Sequence, residues 1–461
     1  MSKPSTEDSA VVPGGSLFTD LYELSMVQAY VADGLTVPAE FEIHFRNPGV
    51  RRGYVIAAGL ESVVAALEQF AFTEAELDYL ASLDQFEQPF IDWLATARFD
   101  GDVHAMPEGT AVFANEPLLR VRASLPLAQI LETRVLNAVH YESIVATKAS
   151  RIVTAAGGRN VVDFGARRAH GVDAAVAAAR SSWIGGCAGT SNMVAGHRYG
   201  LPVVGTMAHS FVQAHDNELE AFRRFVAHYP ATTLLVDTYD TLEGVRNVIR
   251  LSGELGDRFA VRAIRIDSGD LDRDSCEARA LLDAAGLDQI DIIVSGGLDE
   301  DRIAALVAAD APIVGFGVGT ELVVSADQPS IDFAYKMVSC NDDPRMKTST
   351  GKASLPGPKQ VFREWRDGRM AGDTIALAGE ALAGEPLLQP VMRAGERLDP
   401  PPALDAIRER AAAQRDALPP ELHRLETPEE HAYPVRISEL LRGERERLLG
   451  AQATAAPTSS S

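Results

Sequence analysis

The sequence predicts an α/β fold: an irregular, TIM-like α/β barrel with a second mixed α/β domain built from N- and C-terminal segments. Two observations predict it. Short apolar runs alternate with helical segments between about residues 126 and 338, and their starts lie roughly 20 to 40 residues apart. Each run also ends in glycine or polar residues. This alternation favours parallel strands joined by right-handed crossovers, with a doubly wound open sheet as the alternative.

Local patterns predict the individual elements. Residues 19–34 combine an N-cap at Thr19 or Asp20, apolar residues at helical spacing and a stop at Gly34. Residues 40–46 alternate like a strand, and residues 59–70 and 73–83 have helical patterns. The barrel zone has predicted strands at 160–165, 202–207, 233–238, 261–269, 291–297 and 312–319. Helices are predicted at 173–183, 217–229, 241–255, 301–310 and 403–418.

These patterns divide the chain into five parts. The predicted parts are a disordered N-terminus at 1–16, an N-terminal α/β domain at 17–125, the barrel with the active site at 126–338, a C-terminal segment at 339–450 that partly returns to the N-terminal domain, and a disordered tail at 451–461. Small and polar residues at both ends of the chain predict the disorder.

The composition limits the partners. The 461 residues carry 43 Lys and Arg against 65 Asp and Glu, a net charge of -22. Such a surface repels nucleic acid and anionic membranes, so an anionic ligand needs a local basic pocket. No apolar run approaches the ~18 residues of a membrane span, and no signal peptide is recognisable. Three widely spaced cysteines favour reduced thiols. We therefore expect a cytoplasmic protein that binds neither nucleic acid nor membranes.

Polar residues follow six successive predicted strands, at the end where barrel enzymes hold their active sites. The endings are 163-DFGARR-168, 205-GTMAHS-210, 237-DTYD-240, 265-RIDSGD-270, 295-SGGLDE-300 and 317-GVGTE-321. Turns alone need Gly, Asp and Ser, but six such endings in succession favour a functional site. Gly296, Gly297 and Gly319, with Thr320, suit a phosphate, because glycine lets backbone N–H groups approach the anion.

Charged side chains at these ends suggest what is bound. Arg167 and Arg265 can hold carboxylate or phosphate oxygens bidentately, although a surface ion pair is the ordinary role of a single arginine. Asp267 and Asp270 can hold Mg²⁺ through water, or bind sugar hydroxyls, with turn capping as the alternative. The sequence has no set of His and Cys residues spaced for zinc.

Aromatic residues and one histidine complete the inventory. Phe164 ends a strand and Tyr22 lies on the first helix, where each can stack on a flat heteroaromatic ring or pack in a core. His209 lies in 205-GTMAHSFVQAH-215, between Thr206 and Ser210. An ordinary histidine is largely neutral at pH 7 and can act as a nucleophile.

Nine stretches carry a family resemblance. They are 17-LFTDLYELSM-26, 131-LETRVLN-137, 163-DFGARRAHG-171, 185-GGCAGTSN-192, 205-GTMAHSFVQAH-215, 265-RIDSGDL-271, 295-SGG-297, 315-GFGVGT-320 and 346-MKTSTGKASLPGPKQVFR-363. With them the chain resembles nicotinate phosphoribosyltransferases. The resemblance implies transfer of phosphoribose from 5-phosphoribosyl 1-pyrophosphate to nicotinate, giving nicotinate mononucleotide for NAD salvage. It also implies Mg²⁺, ATP hydrolysis coupled through a phosphohistidine, and an active site at a homodimer interface.

Matched residue by residue, the resemblance assigns roles to the base pocket. It implies that His209 is phosphorylated and that Ser210 touches the nicotinate carboxylate or the phosphates. Phe164 and Tyr22 look like the two walls that sandwich the pyridine, with Tyr22 supplied by the partner subunit. Arg167 looks like a residue at the substrate end of the pocket.

The resemblance also assigns residues to the sugar and the phosphates. Arg265 and Asp267 resemble the pair that contacts base and ribose. Gly296, Gly297, Gly319 and Thr320 would cradle the 5-phosphate. The candidates for pyrophosphate or ATP phosphates are Arg46, Lys336, Lys347, Lys352 and Lys359.

Competing functions stay open at this point. Nicotinamide enzymes of similar fold place an aspartate near the pocket, whereas 189-GTSN-192 has Ser191 there, which does not repel a carboxylate. Quinolinate enzymes share the LETR-type helix start but are shorter and lack the GTMAHS histidine. A non-catalytic sugar-phosphate-binding barrel and a different barrel enzyme acting on phosphorylated sugars are the alternatives from other classes.

Overall fold

A computed structural model describes residues 15–349, 354–425 and 433–455, with side chains up to residue 451. Most of the N-terminus predicted to be disordered, and residues 456–461 of the tail, lie outside this description. Ser16 is an exception, because it is buried and its hydroxyl oxygen accepts a hydrogen bond from the Ala71 N–H at 2.9 Å. Residues 451–455 continue the last helix, where the sequence predicts a disordered tail.

The α-helices of the described residues, in chain order, are α1 (Leu21–Ala32), α2 (Leu60–Glu68), α3 (Glu74–Ser82), α4 (Gln88–Thr96), α5 (Leu125–Ile130), α6 (Glu132–Ala155), α7 (Val172–Ile184), α8 (Met193–Tyr199), α9 (His209–Gln213), α10 (Glu218–His228), α11 (Thr241–Leu255), α12 (Leu271–Ala284), α13 (Glu300–Ala308), α14 (Thr320–Val323), α15 (Leu404–Asp416) and α16 (Glu439–Ala455). All the helices predicted from the sequence are confirmed, with ends that differ by a few residues.

The strands are β1 (Pro38–His44), β2 (Val55–Ile56), β3 (Asp102–Ala105), β4 (Ala111–Val112), β5 (Leu119–Ser124), β6 (Asn160–Asp163), β7 (Gly189–Thr190), β8 (Thr233–Leu235), β9 (Ala263–Ile266), β10 (Asp291–Ser295), β11 (Gly315–Val318), β12 (Ala334–Cys340), β13 (Asp343–Pro344), β14 (Lys359–Arg366), β15 (Arg369–Leu377), β16 (Glu385–Pro386), β17 (Gln389–Arg393), β18 (Glu396–Arg397) and β19 (Val435–Ile437). The strand predicted at 202–207 is reduced to one parallel bridge between Thr190 and Val203.

The chain divides into two compact units. Unit 1 combines the residues up to Ile144 with those from Ser330 onward, and unit 2 is Val145–Pro329. These boundaries differ from the 126–338 predicted for the barrel. The reason is that α5 packs against α1, β1 and β5, and that β12 pairs with β1, so both ends of the predicted barrel segment belong to unit 1.

Unit 1 is a mixed α/β unit. Its largest sheet has seven strands in the order β13-β12-β1-β5-β3-β17-β18, with antiparallel neighbours. A four-stranded sheet, β16-β14-β15-β19, and the pair β2-β4 come from the same unit. Residues from both ends of the chain therefore share one sheet, and the stacked rings of Phe41 and Tyr335, 4.8 Å apart, join β1 to β12 in its core.

Unit 2 is built around a parallel sheet of six strands in the order β7-β6-β11-β10-β9-β8. Strands that are consecutive in the chain lie side by side, except β7 and β8, which form the two edges of the sheet. The first strand, β6, pairs with the last, β11, and the described residues form no ladder between Val203 and β8. The predicted α/β class and parallel sheet are confirmed, and the sheet curls as a half-barrel. Apolar side chains such as Ile264, Val294 and Phe316 are buried, as expected when helices cover a parallel sheet.

Helix starts in unit 2 are well capped. Asp240, Asp270 and Asp299 follow successive strands, and their carboxylates accept backbone N–H groups of the first turns of α11, α12 and α13. Several polar residues at the strand ends thus have a structural role as helix caps. No helix in the described ranges has the length and apolar character that a membrane span requires.

Candidate functional site

His209 lies at the start of α9, just beyond the bridge at Val203, and its ring is held between two strand ends. Nδ1 lies 3.1 Å from the Thr238 hydroxyl oxygen, which follows β8. Nε2 lies 3.9 Å from Asp267 Oδ2, which follows β9. The parallel order of the sheet therefore brings Thr238 and Asp267, which are distant in the chain, to the two sides of one half-exposed imidazole.

The carboxylate of Asp267 has a fixed orientation. The Ser295 hydroxyl, at the end of β10, donates to Asp267 Oδ1. The Asp267 N–H donates to Asp237 Oδ2 at 3.0 Å, and the Ser268 hydroxyl donates to the same oxygen at 2.6 Å. Because one oxygen of Asp267 is held by Ser295, the other is left facing His209.

Asp237 is the principal residue for which the sequence predicts no role. It is buried at the end of β8, and its Oδ1 has no hydrogen-bond partner among the described residues. A buried oxygen without a donor is costly unless a ligand, ion or water satisfies it. The signal was present in the strand ending 237-DTYD-240, where only the capping residue Asp240 has an ordinary explanation.

Arg265 connects β9 to the loop that carries His209. Its Nη1 donates to the Thr206 hydroxyl oxygen at 2.8 Å and its Nη2 to the Met207 carbonyl oxygen at 3.1 Å. Its Nε is buried and has no acceptor in the described part of the chain. Burial lowers the pKa of the Arg265 guanidinium, the carboxylates of Asp267 and Asp237 oppose this, and the neighbouring Arg167 lowers it further. An anion bound between Arg265 and Arg167 would offset both the burial of the Arg265 charge and the repulsion between the two guanidinium groups.

Phe164, Arg167 and Ser191 come together around the end of β6. The Phe164 N–H donates to the Val318 carbonyl oxygen at 2.7 Å, and the Ser191 N–H donates to the Asp163 carbonyl oxygen at 2.8 Å. The buried Asp163 carboxylate accepts from the Gly165 N–H at 2.8 Å and the Thr190 hydroxyl at 2.7 Å. Burial raises the pKa of Asp163, and these donors oppose the rise. Arg167 is exposed beyond this turn.

The two glycine loops follow the paired strands β10 and β11. Gly296 has a φ of +90° and Gly297 a φ of +59°, in the left-handed region. A Cβ on Gly296 would overlap the Asp267 carbonyl oxygen, so the loop can pass this close to Asp267 only with glycine. Gly319 precedes α14, and Thr320 begins it. Arg302, which the sequence does not single out, has Nη1 3.3 Å from the Gly297 carbonyl oxygen.

Three of the predicted residues lie in unit 1 and share electrostatic neighbours. Burial, then Glu132 and Glu23, raise the pKa of the exposed Tyr22 on α1. Burial raises the pKa of Glu132, and Lys336 on β12 opposes this rise. Arg46 forms an ion pair of 3.8 Å with Asp332.

His44 connects the basic residues of this group. Burial lowers the pKa of His44 to about 4, with Lys359, Arg46 and Lys336 adding to the effect. The sequence does not single out His44, and its place between Ile43 and Phe45 at the end of β1 offers no signal.

The three candidate lysines in the 346–363 stretch differ in their surroundings. Lys347 is exposed. Lys352 lies outside the described residues. Lys359 is buried, and its Nζ contacts Glu42 Oε2 at 2.8 Å and the carbonyl oxygens of Leu355 and Gly357 at 3.1 and 2.7 Å. The prediction that Lys359 binds a phosphate is wrong, because the three donors of an ammonium group are already used inside unit 1.

Two further predicted residues lie beside the site. Asp270 is exposed and caps α12 by accepting from the Arg273 N–H at 3.3 Å, which is the alternative to a metal role. Ser210 is exposed on the first turn of α9. The second histidine of the motif, His215, follows the end of α9, and its Nδ1 lies 2.7 Å from the Phe211 carbonyl oxygen. The described residues contain no group of three or more His, Cys, Asp or Glu placed to hold a metal.

Comparisons with known proteins agree over most of the chain. Models of the N-terminal domain, the main family and the C-terminal domain of nicotinate phosphoribosyltransferase match residues 17–140, 159–357 and 380–443. A nicotinate phosphoribosyltransferase of Mycobacterium tuberculosis is 55% identical over 435 residues, 94% of each chain. One of Bacillus subtilis is 41% identical over 375 residues, covering 79% of this chain and 76% of its own. The crystal structure of human nicotinic acid phosphoribosyltransferase matches with a TM-score of 0.84 and 29% identity, over 93% of this chain and 99% of that one. The chain belongs to the nicotinate phosphoribosyltransferase family.

Proposed function

We propose that the protein transfers phosphoribose from 5-phosphoribosyl 1-pyrophosphate to nicotinate, giving nicotinate mononucleotide and pyrophosphate for NAD salvage. The observation that carries this is the cluster of Arg265, Asp267 and His209 at the carboxyl ends of the parallel strands, with the buried Nε of Arg265 left without an acceptor. TIM-like barrels hold their substrates at this end of the sheet. We propose that the half-barrel sheet of unit 2 belongs to such a TIM-like barrel.

The base site suits an aromatic acid. Phe164 offers a ring face, and the free Nε of Arg265 together with Arg167 offers positive charge for a carboxylate. Ser191 and Ser210 add hydroxyl groups that do not repel an anion. Asp163, the carboxylate just before Phe164, is buried and accepts hydrogen bonds from Gly165 and Thr190, so it is less available to accept from an amide N–H. This favours nicotinate over nicotinamide.

The transfer itself needs charge stabilisation more than proton transfer. The nicotinate ring nitrogen attacks C1 of the ribose, the bond from C1 to the pyrophosphate oxygen breaks, and positive charge develops on the sugar. Asp267, held by Ser295 and Asp237, supplies negative charge beside it. The N–H groups of the loops with Gly296, Gly297, Gly319 and Thr320 are the proposed cradle of the 5-phosphate.

His209 is the proposed link to ATP. A neutral imidazole nitrogen attacks the γ-phosphorus of ATP, an N–P bond forms, and ADP leaves with the electrons of the broken P–O bond. The Asp267 carboxylate, 3.9 Å from Nε2, stabilises the cationic phosphorylated ring. Asp267 would therefore serve both the transfer reaction and the phosphorylation of His209.

Mg²⁺ fits the chemistry of the donor set. Magnesium prefers carboxylate oxygens and commonly keeps several waters. The unpartnered Oδ1 of Asp237, with Asp267 beside it, is better suited to hold it than Asp270, whose carboxylate caps α12. When bound, the ion would neutralise the leaving pyrophosphate.

The remaining proposals concern the assembly. We propose a cytoplasmic homodimer in which Tyr22 of the partner subunit forms the second wall for the pyridine. Arg46, Lys336 and Lys347 are proposed contacts of pyrophosphate or ATP phosphates, and the electrostatic coupling of Arg46 and Lys336 to His44 supports a shared basic surface for two of them.

A product assay tests the function. Purified protein would be mixed with 5-phosphoribosyl 1-pyrophosphate, Mg²⁺ and either nicotinate or nicotinamide, with and without ATP, alongside His209→Ala. We expect mononucleotide from nicotinate, stimulated by ATP only when His209 is present. Product from nicotinamide alone would move the assignment to the amide enzyme, and no product from either base would leave the non-catalytic binding protein.

A further inference from the structure

Gly317, on β11, lies directly against the ring of Phe164. A Cβ built on Gly317 would stand 2.5 Å from Phe164 Cε2, closer still to Cδ2, and 3.2 Å from the Ser295 Cβ. Real Cβ atoms do not approach carbons that closely, so any side chain at 317 would force the ring to move. The φ of Gly317 does not lie in the left-handed region, so its conformation alone does not require glycine.

The backbone around Phe164 cannot absorb that movement. Its N–H donates to the Val318 carbonyl oxygen at 2.7 Å, and the next N–H, of Gly165, donates to the Asp163 carboxylate at 2.8 Å. Gly165 is itself packed so closely that a Cβ there would overlap the Val323 side chain. The ring can therefore yield only by turning about its own side-chain torsions, which changes the face that it presents.

Gly315, two residues earlier on the same strand, provides a contrast. A Cβ there would meet its nearest atom, the Asn160 carbonyl oxygen, at 3.5 Å, an ordinary contact. Glycine weakens a strand interior, and it is common where another group must approach the backbone closely. At Gly317 the group that approaches is the Phe164 ring, whereas at Gly315 nothing comes as close.

We infer that Gly317 is a positioning residue for the nicotinate site: the absence of a side chain there lets the Phe164 ring lie directly against β11 and sets the depth of the slot for a planar aromatic acid. This rests on the proposed stacking of the base on Phe164. A side chain at 317 would push the ring into the space of the base, while the phosphate-binding residues keep their places.

The test compares Gly317→Ala with the matched control Gly315→Ala, using steady-state kinetics on the complete protein. We expect Gly317→Ala to raise the KM for nicotinate by roughly tenfold, since displacements of about 1 Å in a site are costly. The KM for 5-phosphoribosyl 1-pyrophosphate should change less than about twofold, a margin well below the effect of a lost contact. Gly315→Ala should leave both constants near those of the parent protein.

A double-substitution cycle separates the inference from the proposed function. In a Phe164→Ala background the ring is gone, so adding Gly317→Ala should have no further effect on the KM for nicotinate. If Phe164→Ala alone leaves that KM unchanged, the stacking proposal fails and the inference fails with it. If Phe164→Ala raises the KM for nicotinate but Gly317→Ala does not, only the role of Gly317 is overturned. The same conclusion holds if Gly317→Ala has the same effect on this KM with and without the Phe164 ring. The Phe164→Ala background also keeps the test valid if Gly317→Ala alone folds poorly.

Discussion

Two arginine-centred clusters, one in each unit, differ in how completely their polar atoms are paired. In unit 1 the fully buried Arg363 donates through Nε and Nη2 to Asp373, through Nη1 to Gln414 at 2.8 Å, and through Nη2 to the Ala111 carbonyl oxygen at 2.8 Å. The Tyr433 hydroxyl also donates to Asp373, at 2.8 Å. Nothing in this arrangement offers Arg363 or Asp373 to a ligand.

The cluster in unit 2 is left incomplete. Arg265 has a buried Nε without an acceptor, and Asp237 has a buried Oδ1 without a donor, within the residues described. Both belong to a half-exposed group that includes His209 and Asp267. The difference teaches that buried charge alone does not mark a functional site in this chain. Unsatisfied atoms beside an accessible surface are the better sign.

One carboxyl group qualifies the contrast. Glu116 in unit 1 also has a buried oxygen without a partner among the described residues. Burial, followed by the neighbouring Asp373, raises the pKa of Glu116 well above its usual range. A raised pKa favours the neutral form of Glu116, and the neutral form needs no ligand to balance its charge.

The largest effect is expected from breaking the complete cluster. Arg363→Gln leaves Asp373 buried without its cation and should lower the free energy of unfolding by about 3–5 kcal/mol. Urea titration followed by circular dichroism measures this. The matched control is Arg447→Gln, which removes an exposed ion pair with Glu444 and should leave the free energy of unfolding close to that of the parent protein. Equal, small effects of the two substitutions would show that the buried cluster is not a structural anchor.

Breaking the incomplete cluster should affect activity instead. Arg265→Gln removes the proposed contact to the carboxylate and should lower kcat/KM for nicotinate by roughly 10²–10³-fold, while the melting temperature changes little. Arg262→Gln, an exposed position just before the same strand, is the control and should behave like the parent protein. A loss of stability in Arg265→Gln as large as that of Arg363→Gln would remove the distinction between the clusters.

Acid should weaken unit 1 through His44. The pKa of His44 in the folded chain is about 4, below the ordinary 6.5, so the unfolded chain binds the proton more readily between these values. The free energy of unfolding is therefore highest above pH 6.5, and it falls by up to about 3 kcal/mol as the pH drops to 4. Unfolding titrations at pH 7.5 and 4.5 should differ less in His44→Gln than in the parent protein. An identical pH dependence in the two proteins would contradict the assignment.

The smallest effect concerns the orientation of Asp267. Ser295→Ala removes the donor to Oδ1 and should lower kcat by about tenfold, the loss expected for one hydrogen bond to a charged group. Ser252→Ala on α11, whose hydroxyl only donates to the Ile249 carbonyl oxygen, is the control. An unchanged kcat in Ser295→Ala would mean that Asp267 keeps its orientation through its backbone alone.

The sequence indicates candidate site residues at the ends of strands. Arg265, Asp267 and Phe164 could be singled out because they lie at or just after the ends of β9 and β6, and strand ends in a parallel sheet meet at one edge whatever the strand order. His209 follows a predicted strand that the structure reduces to the bridge at Val203. Their partners could not be found in the same way. That Ser295 orients Asp267, and that Thr238 meets His209, depends on which strands are neighbours, and the order β8-β9-β10 appears only in the folded sheet.

Lys359 illustrates the opposite failure. Its place in a stretch that resembles a phosphate-binding family suggests a free ammonium group. The carboxylate that captures it, Glu42, lies 317 residues earlier in the chain. β1 and β14, the strand that begins at Lys359, both belong to unit 1. The role of the lysine therefore depends on a contact between distant parts of the chain, which no local sequence pattern indicates.

A crystal structure of the protein with bound nicotinate tests the central claim most directly. The incomplete cluster of unit 2 should hold the ligand, with a carboxylate oxygen about 3 Å from Arg265 Nε and the pyridine ring against the face of Phe164. Nicotinate bound elsewhere, with Arg265 Nε still lacking an acceptor, would contradict the view that the unpaired atoms of this cluster mark the substrate site.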